Sequence, residues 1–128
     1  MDRKSALFGM QTAAPILIVE DDVLVRMVAA AALEDAGYRV IEADCAAEAL
    51  QVLAGDEAVS ILFTDINMPG MDGLELARLA SAQRPGLMVV LTSGYEQPRP
   101  DELPEHGQFL PKPYLPEQMM ALMTAIAA

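Results

Sequence analysis

The sequence predicts a single α/β domain built on five parallel strands. Three observations predict it. From Ile16 to the last residues, short apolar segments alternate with segments of helical spacing. The chain has 128 residues, enough for one sizeable core and too few for a second. Hydrophobic residues make up 53% and charged residues 21%, the balance of a packed globule and not of a disordered chain. Alternation of this kind implies a parallel sheet with helices on both faces. Right-handed crossovers leave few topologies, and a flavodoxin-like, doubly wound sheet of order 2-1-3-4-5 fits best.

Each element has its own signal. Ile16-Leu17-Ile18-Val19 is continuously apolar, as a strand buried on both faces should be. A helix follows from Val23 to Ala36, with Leu24, Met27, Val28 and Ala31 at helical spacing. Its Met and Leu positions are expected to face the core. Gly37 stands where a left-handed residue ends a helix. Tyr38-Arg39-Val40-Ile41 carries a charge and suits an edge strand. Asp44 can cap an alanine-rich helix that reaches Leu53 and stops at Gly55.

The second half repeats the pattern. Val59 to Phe63 reads as a strand. Asp72 and Glu75 have capping-box spacing, and the helix they open should run to about Gln83 before Pro85-Gly86 breaks it. Leu87 to Leu91 is another buried strand. Residues 97–107 hold Pro98, Pro100 and Pro104, so the fourth helix should be reduced. Phe109-Leu110 is a short strand. Pro116 suits the first turn of a last helix whose apolar stripe is Leu115, Met119, Leu122, Met123 and Ile126.

Charge and composition exclude several functions. Eight Lys and Arg against 19 Asp and Glu give a formal net charge of −11. This opposes non-specific binding to nucleic acid and to anionic membranes, both of which need clustered cations. No apolar run approaches the ~20 residues that span a bilayer. The single cysteine, Cys45, forms no internal disulfide and reads as a small apolar residue at a helix start, which fits a reducing cytoplasm. Residues 1–14 read as a mobile arm, and residues 15–128 as the domain.

Polar residues gather where strands end. Glu20-Asp21-Asp22 follow the first strand, Thr64-Asp65 the third, Thr92-Ser93 the fourth, and Lys112, after Pro111, the fifth. In the order 2-1-3-4-5 the topological switch point lies between the first and third strands, and ligands bind at the carboxyl edge there. Glu20, Asp21 and Asp65 would flank it. Converging carboxylates call for a hard cation, and Mg²⁺ suits one or two carboxylates plus water. A carboxylate can also act as a nucleophile toward a phosphoryl group. A metal, Lys112 and the Thr92 hydroxyl are the charge-neutralising parts such a transfer needs. The site therefore reads as an aspartyl-phosphate site with Asp65 as acceptor. Singly, each residue has an ordinary explanation as a cap, an Asx turn, a strand-end hydroxyl or a solvated lysine; together, each at the end of its own strand, they form a rare pattern.

With these residues in place the sequence resembles a bacterial response-regulator receiver domain from about Pro15 to Ala127. The carrying motifs are Ile16 to Asp22, the run from Asp65 through Asn67, Met68, Pro69 and Met71 to Asp72-Gly73, then Leu91-Thr92-Ser93-Gly94-Tyr95, and Phe109 to Tyr114. The resemblance implies that Asp65 takes a phosphoryl group from the phosphohistidine of a sensor histidine kinase or histidine phosphotransfer protein. It implies that Asp21 binds Mg²⁺ directly, Glu20 through water, and Asn67 through its backbone carbonyl. It assigns Lys112 to the phosphoryl oxygens, Thr92 and Phe109 to the switch, and a cis peptide to Lys112-Pro113. Asp22 stays outside the metal shell as a helix cap. Ser-Gly-Tyr after Thr92 is similar to single-domain regulators and to receivers attached to hybrid kinases.

The leading expectation is a stand-alone signalling module without a DNA-binding output domain, acting on an unidentified protein target. The alternatives are a receiver excised from a hybrid kinase, a phosphate sink, and a partner-binding module that needs no phosphorylation. A multiple-turnover phosphatase would need a second acid near the nucleophile, often two positions on. That position is Asn67, so the chain is expected not to be an enzyme beyond its own phosphorylation and dephosphorylation. His106, the one histidine, lies in a Pro/Gly-rich loop and reads as solvated.

Overall fold

A computed structural model describes residues 14–95 and 97–127 of the chain. The elements in order are β1 (Ile16–Val19), α1 (Val23–Asp35), β2 (Val40–Ala43), α2 (Ala46–Ala54), β3 (Ile61–Asp65), α3 (Gly73–Gln83), β4 (Met88–Ser93), a 3-10 turn (Pro100–Glu102), β5 (Gly107–Pro111) and α4 (Pro116–Ala127). The five strands form one sheet in the order β2-β1-β3-β4-β5, every pair parallel. This is the expected topology. Among the described residues the fourth connection holds only the 3-10 turn, in line with its prolines, so the last helix is α4.

Alternation along the strands divides the core in two. Leu17, Val19, Leu62, Val89 and Leu91 pack against α2 and α3. Ile16, Ile18, Phe63 and Val90 pack against α1 and α4, with Leu33, Met119 and Met123. Strand β1 is buried along its whole length, and β2 at the edge keeps Glu42 exposed. Among the described residues no helix is long and apolar enough to cross a membrane.

Several boundaries differ from expectation. Strand β2 begins at Val40, because Tyr38 still belongs to the end of α1. Gly37, at φ 98°, donates to Glu34 O at 2.9 Å, and Tyr38 N donates to Leu33 O at 3.0 Å, the paired bonds of a Schellman end. Strand β3 starts two residues later than its apolar run suggests and ends on Asp65. Strand β4 extends to Ser93, and β5 spans Gly107–Pro111. Helix α2 is not capped by the Asp44 side chain. It starts at Ala46, which makes Cys45 the N-cap, and Glu48 instead reaches back to accept from Asp44 N at 2.8 Å. Asp22 caps α1 through Leu24 N and Val25 N, and Asp72 caps α3 through Glu75 N at 2.9 Å. Glu75 turns away to pair with Arg78. The Lys112–Pro113 peptide is cis.

The expected core stripe of α1 is also displaced. Ala29, Ala30 and Leu33 face the sheet, while Leu24, Met27, Val28 and Ala31 are exposed. Small alanines let α1 lie close to the sheet, and that approach turns the larger side chains outward. In α4, Met119 and Met123 are buried, but Leu115 is exposed. The arm expected at residues 1–14 lies outside the described residues except for Ala14, whose carbonyl accepts from Ser60 Oγ at 3.3 Å.

Gly73 opens α3 hard against the end of β3. A Cβ there would stand 2.1 Å from Asp65 O and 2.8 Å from Ile66 Cα, and Gly73 N donates to Ile66 O at 2.9 Å. Both obstacles are backbone and cannot move aside alone. Gly73→Ala is expected to lower stability by about 2–3 kcal/mol, read from the urea midpoint at unchanged slope.

Candidate functional site

In-register parallel pairing carries the ends of β1, β3, β4 and β5 to one edge of the sheet. Asp65 is the register partner of Thr92, and Thr92 of Leu110. Glu20 lies two residues beyond Ile18, and Asp65 two beyond Phe63, so both point to the face covered by α1 and α4. Glu20 is 4% exposed and Asp65 5%, whereas Asp21 is exposed.

Lys112, just past β5, holds the buried pair. Its Nζ donates to Glu20 Oε1 at 2.8 Å and lies 3.5 Å from Asp65 Oδ1. The other Glu20 oxygen accepts from Asp22 N at 3.1 Å. The backbone N–H of Asn67 bonds to the Asp65 carboxylate. Burial nonetheless keeps both carboxyls above their ordinary range, against the opposing pull of Lys112. Burial alone would depress Lys112, but its contacts with Glu20 and Asp65 outweigh it and hold the ammonium charged. Tyr114 stacks at a tilt on Phe63 with ring centres 5.8 Å apart; burial and the two carboxylates push its phenol up to about 12.

Carboxylate oxygens of Glu20, Asp21 and Asp65 all lie within 4.8 Å of one another. An all-oxygen set with two buried members of raised pKa fits a hard divalent cation, which would offset their crowding. Thr92 Oγ1 is buried with no hydrogen-bond partner among the described residues, ready to donate to an incoming oxygen. Asn67, on the loop after Asp65, accepts through Oδ1 from Ser93 Oγ at 2.6 Å. Asp22 is engaged as a cap, apart from the carboxylate cluster. Phe109 is the register partner of Leu91, one step before Thr92, and packs half-buried on the α2 and α3 side. His106 is exposed, away from this edge.

Two contributors escaped the sequence reading. Arg26 Nη1 donates to the Glu20 carbonyl at 2.7 Å, and Tyr114 joins Glu20, Asp65 and Thr92 in lining the same pocket. The available signal for Arg26 was its place as the one basic residue of α1, a turn after Asp22.

Comparison with known proteins fits this geometry. The profile described as the response regulator receiver domain matches residues 16–124. The chain belongs to the response regulator receiver family. It is 41% identical over 102 residues to the response regulator receiver protein CpdR of Brucella abortus (strain 2308), covering 77% of this chain and 84% of that protein. It is 39% identical over 111 residues to the sensor kinase CckA of the same strain, covering 83% of this chain but 12% of the kinase. The crystal structure of the receiver domain from the hybrid histidine kinase CckA superposes with a TM-score of 0.79 at 33% identity, covering 90% of this chain and all of that one.

In this receiver the raised carboxyls carry a cost. A carboxyl whose folded pKa exceeds its unfolded value destabilises the fold when ionised, and the cost vanishes as pH falls through the folded value to below the unfolded one. Asp65→Asn is therefore expected to stabilise the cation-free protein at neutral pH by about 1 kcal/mol. The gain should narrow when the wild type is given Mg²⁺. Thermal unfolding of both proteins, with Mg²⁺ and with chelator, checks this.

Proposed function

We propose that this receiver takes a phosphoryl group onto Asp65 from a phosphohistidine, with Mg²⁺ held by Asp21, Asp65 and the Asn67 carbonyl directly and by Glu20 through water. One observation carries the reading: three carboxylates within reach of a single cation, two of them (Glu20 and Asp65) bridged by Lys112, beside a buried hydroxyl with no partner among the described residues. Mg²⁺ would supply charge neutralisation on the transferring group. An Asp65 carboxylate oxygen attacks phosphorus, the O–P bond forms, and the P–N bond to the donor imidazole breaks. The freed imidazole nitrogen takes its proton from solvent. Lys112 leaves Glu20 to pair with a phosphoryl oxygen. Thr92 donates to another, drawing the end of β4 inward. Through Leu91, the residue before Thr92 and the register partner of Phe109, that shift reaches Phe109 and changes what the surface offers a downstream protein, in keeping with cytoplasmic signalling by protein contact.

The donor is a sensor histidine kinase or a histidine phosphotransfer protein. Its imidazole must approach Asp65 in line, which presses its surrounding surface against the rim of the site. The N-terminal half of α1 forms part of that rim. There Val23, Leu24, Met27 and Val28 are all more than half exposed, an apolar face suited to the side of a helix. The face continues into a groove of about 550 Å³ walled by Leu24, Val28, Ala32, Tyr114 and Met119.

The direct test is incubation with Mg²⁺ and acetyl phosphate, followed by intact-mass spectrometry. One phosphoryl mass should be gained, and Asp65→Asn or chelator should abolish the gain. No gain in a wild-type chain that binds Mg²⁺ would instead favour a module that works without phosphorylation. Leu24→Asp with Val28→Asp should slow transfer from a phosphohistidine donor by about tenfold or more, the usual scale for losing a buried apolar anchor. Labelling by acetyl phosphate, which needs no docking, should be unchanged.

A further inference from the structure

The Glu20–Asp21 segment must hold two carboxylates at a set spacing, yet it is loop and Asp21 is exposed. Its backbone is fixed from both sides. Glu20 N donates to Ala43 O at 3.1 Å, which ties the segment to the end of β2. Glu20 O accepts from Arg26 Nη1 at 2.7 Å, which ties it to α1. That carbonyl belongs to the peptide joining Glu20 to Asp21, so its direction sets where the Asp21 side chain departs. Arg26 is itself anchored: its Nε donates to Glu42 Oε1 at 3.2 Å, and its side chain is only 17% exposed. Arg26 also lines the pocket that contains Glu20, Asp65 and Thr92.

A guanidinium beside a cation site is unfavourable on charge alone. Glu42 offsets that charge, and the planar fork lets one side chain engage a carbonyl and a carboxylate at once. We infer that Arg26 is a positioning residue for the divalent cation, holding the Glu20–Asp21 peptide so that its two carboxylates meet Asp65. The inference rests on the acceptor-site reading above.

Positioning and charge predict opposite signs, which makes a sharp test. Mg²⁺ binding is measured by titration calorimetry on the full chain, for the wild type, Arg26→Met and Arg26→Lys. If Arg26 positions the loop, Arg26→Met weakens Mg²⁺ binding by about tenfold, as expected when a group orienting a ligand is removed. Arg26→Lys, which keeps the charge but loses the fork, weakens it as well. If Arg26 acts only as a nearby charge, Arg26→Met binds more tightly and Arg26→Lys matches the wild type; either result overturns the inference. Unchanged binding in Arg26→Met with a lowered melting temperature would make Arg26 a brace for the fold alone. Should Arg26→Met fail to fold, Arg26→Lys decides between weaker and equal binding. A wild-type chain that binds no Mg²⁺ overturns the acceptor-site reading and this one together; normal wild-type binding with equal binding in the variants overturns this one alone.

Discussion

Crowding of three carboxylates at the end of a parallel sheet is the constraint on which the rest of this molecule depends. Two of them are buried, and burial disfavours their charged forms. Lys112 pairs with both, and backbone N–H groups of Asp22 and Asn67 add further donors. Such a cluster is a source of strain in the folded state, and it persists because the surrounding frame is rigid. The frame is a five-stranded sheet whose inner strands β1, β3 and β4 are almost wholly buried. Its register leaves Glu20, Asp65 and Thr92 no choice of side.

Around that edge, small residues do as much as charged ones. Gly73 lets the start of α3 approach the Asp65 backbone closer than any Cβ would allow. Alanines on the inner side of α1 bring that helix near the sheet, within reach for Arg26 to touch the Glu20 carbonyl. The same close packing turns Leu24, Met27 and Val28 outward. One arrangement thus supplies both a braced acidic loop and an apolar rim beside it. On the other flank, the described residues of the proline-rich stretch before β5 form one 3-10 turn in place of a helix. The surface on that side is therefore built from strand ends and a short connection.

The carboxylate cluster and its polar neighbours were largely legible because they sit at strand ends, where apolar runs stop abruptly at polar residues. That signal located Glu20, Asp21, Asp65, Thr92 and Lys112 without any geometry. It could not find the Arg26 contact, since a lone arginine in a helix has no distinctive spacing. It could not tell which side of α1 faces inward, because Leu24-Met27-Val28-Ala31 and Val25-Ala29-Ala32-Leu33 both satisfy helical periodicity. It misjudged Asp44 by one residue, which at a helix N-cap is the difference between capping and not. Phe109 was placed in its strand, but which face it occupies depends on register against Leu91.

By itself the sequence determined the alternation of strands and helices, the order of the sheet, the reduction of the fourth helix and the identity of the clustered polar residues. These follow from local signals: period, chain length, proline positions and the ends of apolar runs. Only the tertiary structure decided the pairing of Lys112 with Glu20 rather than with Asp65 alone, the isolated hydroxyl of Thr92, the bond from Ser93 to Asn67 and the outward face of α1. These depend on distances between residues far apart in the chain. Such distances are set by strand register and helix packing, which no local pattern encodes.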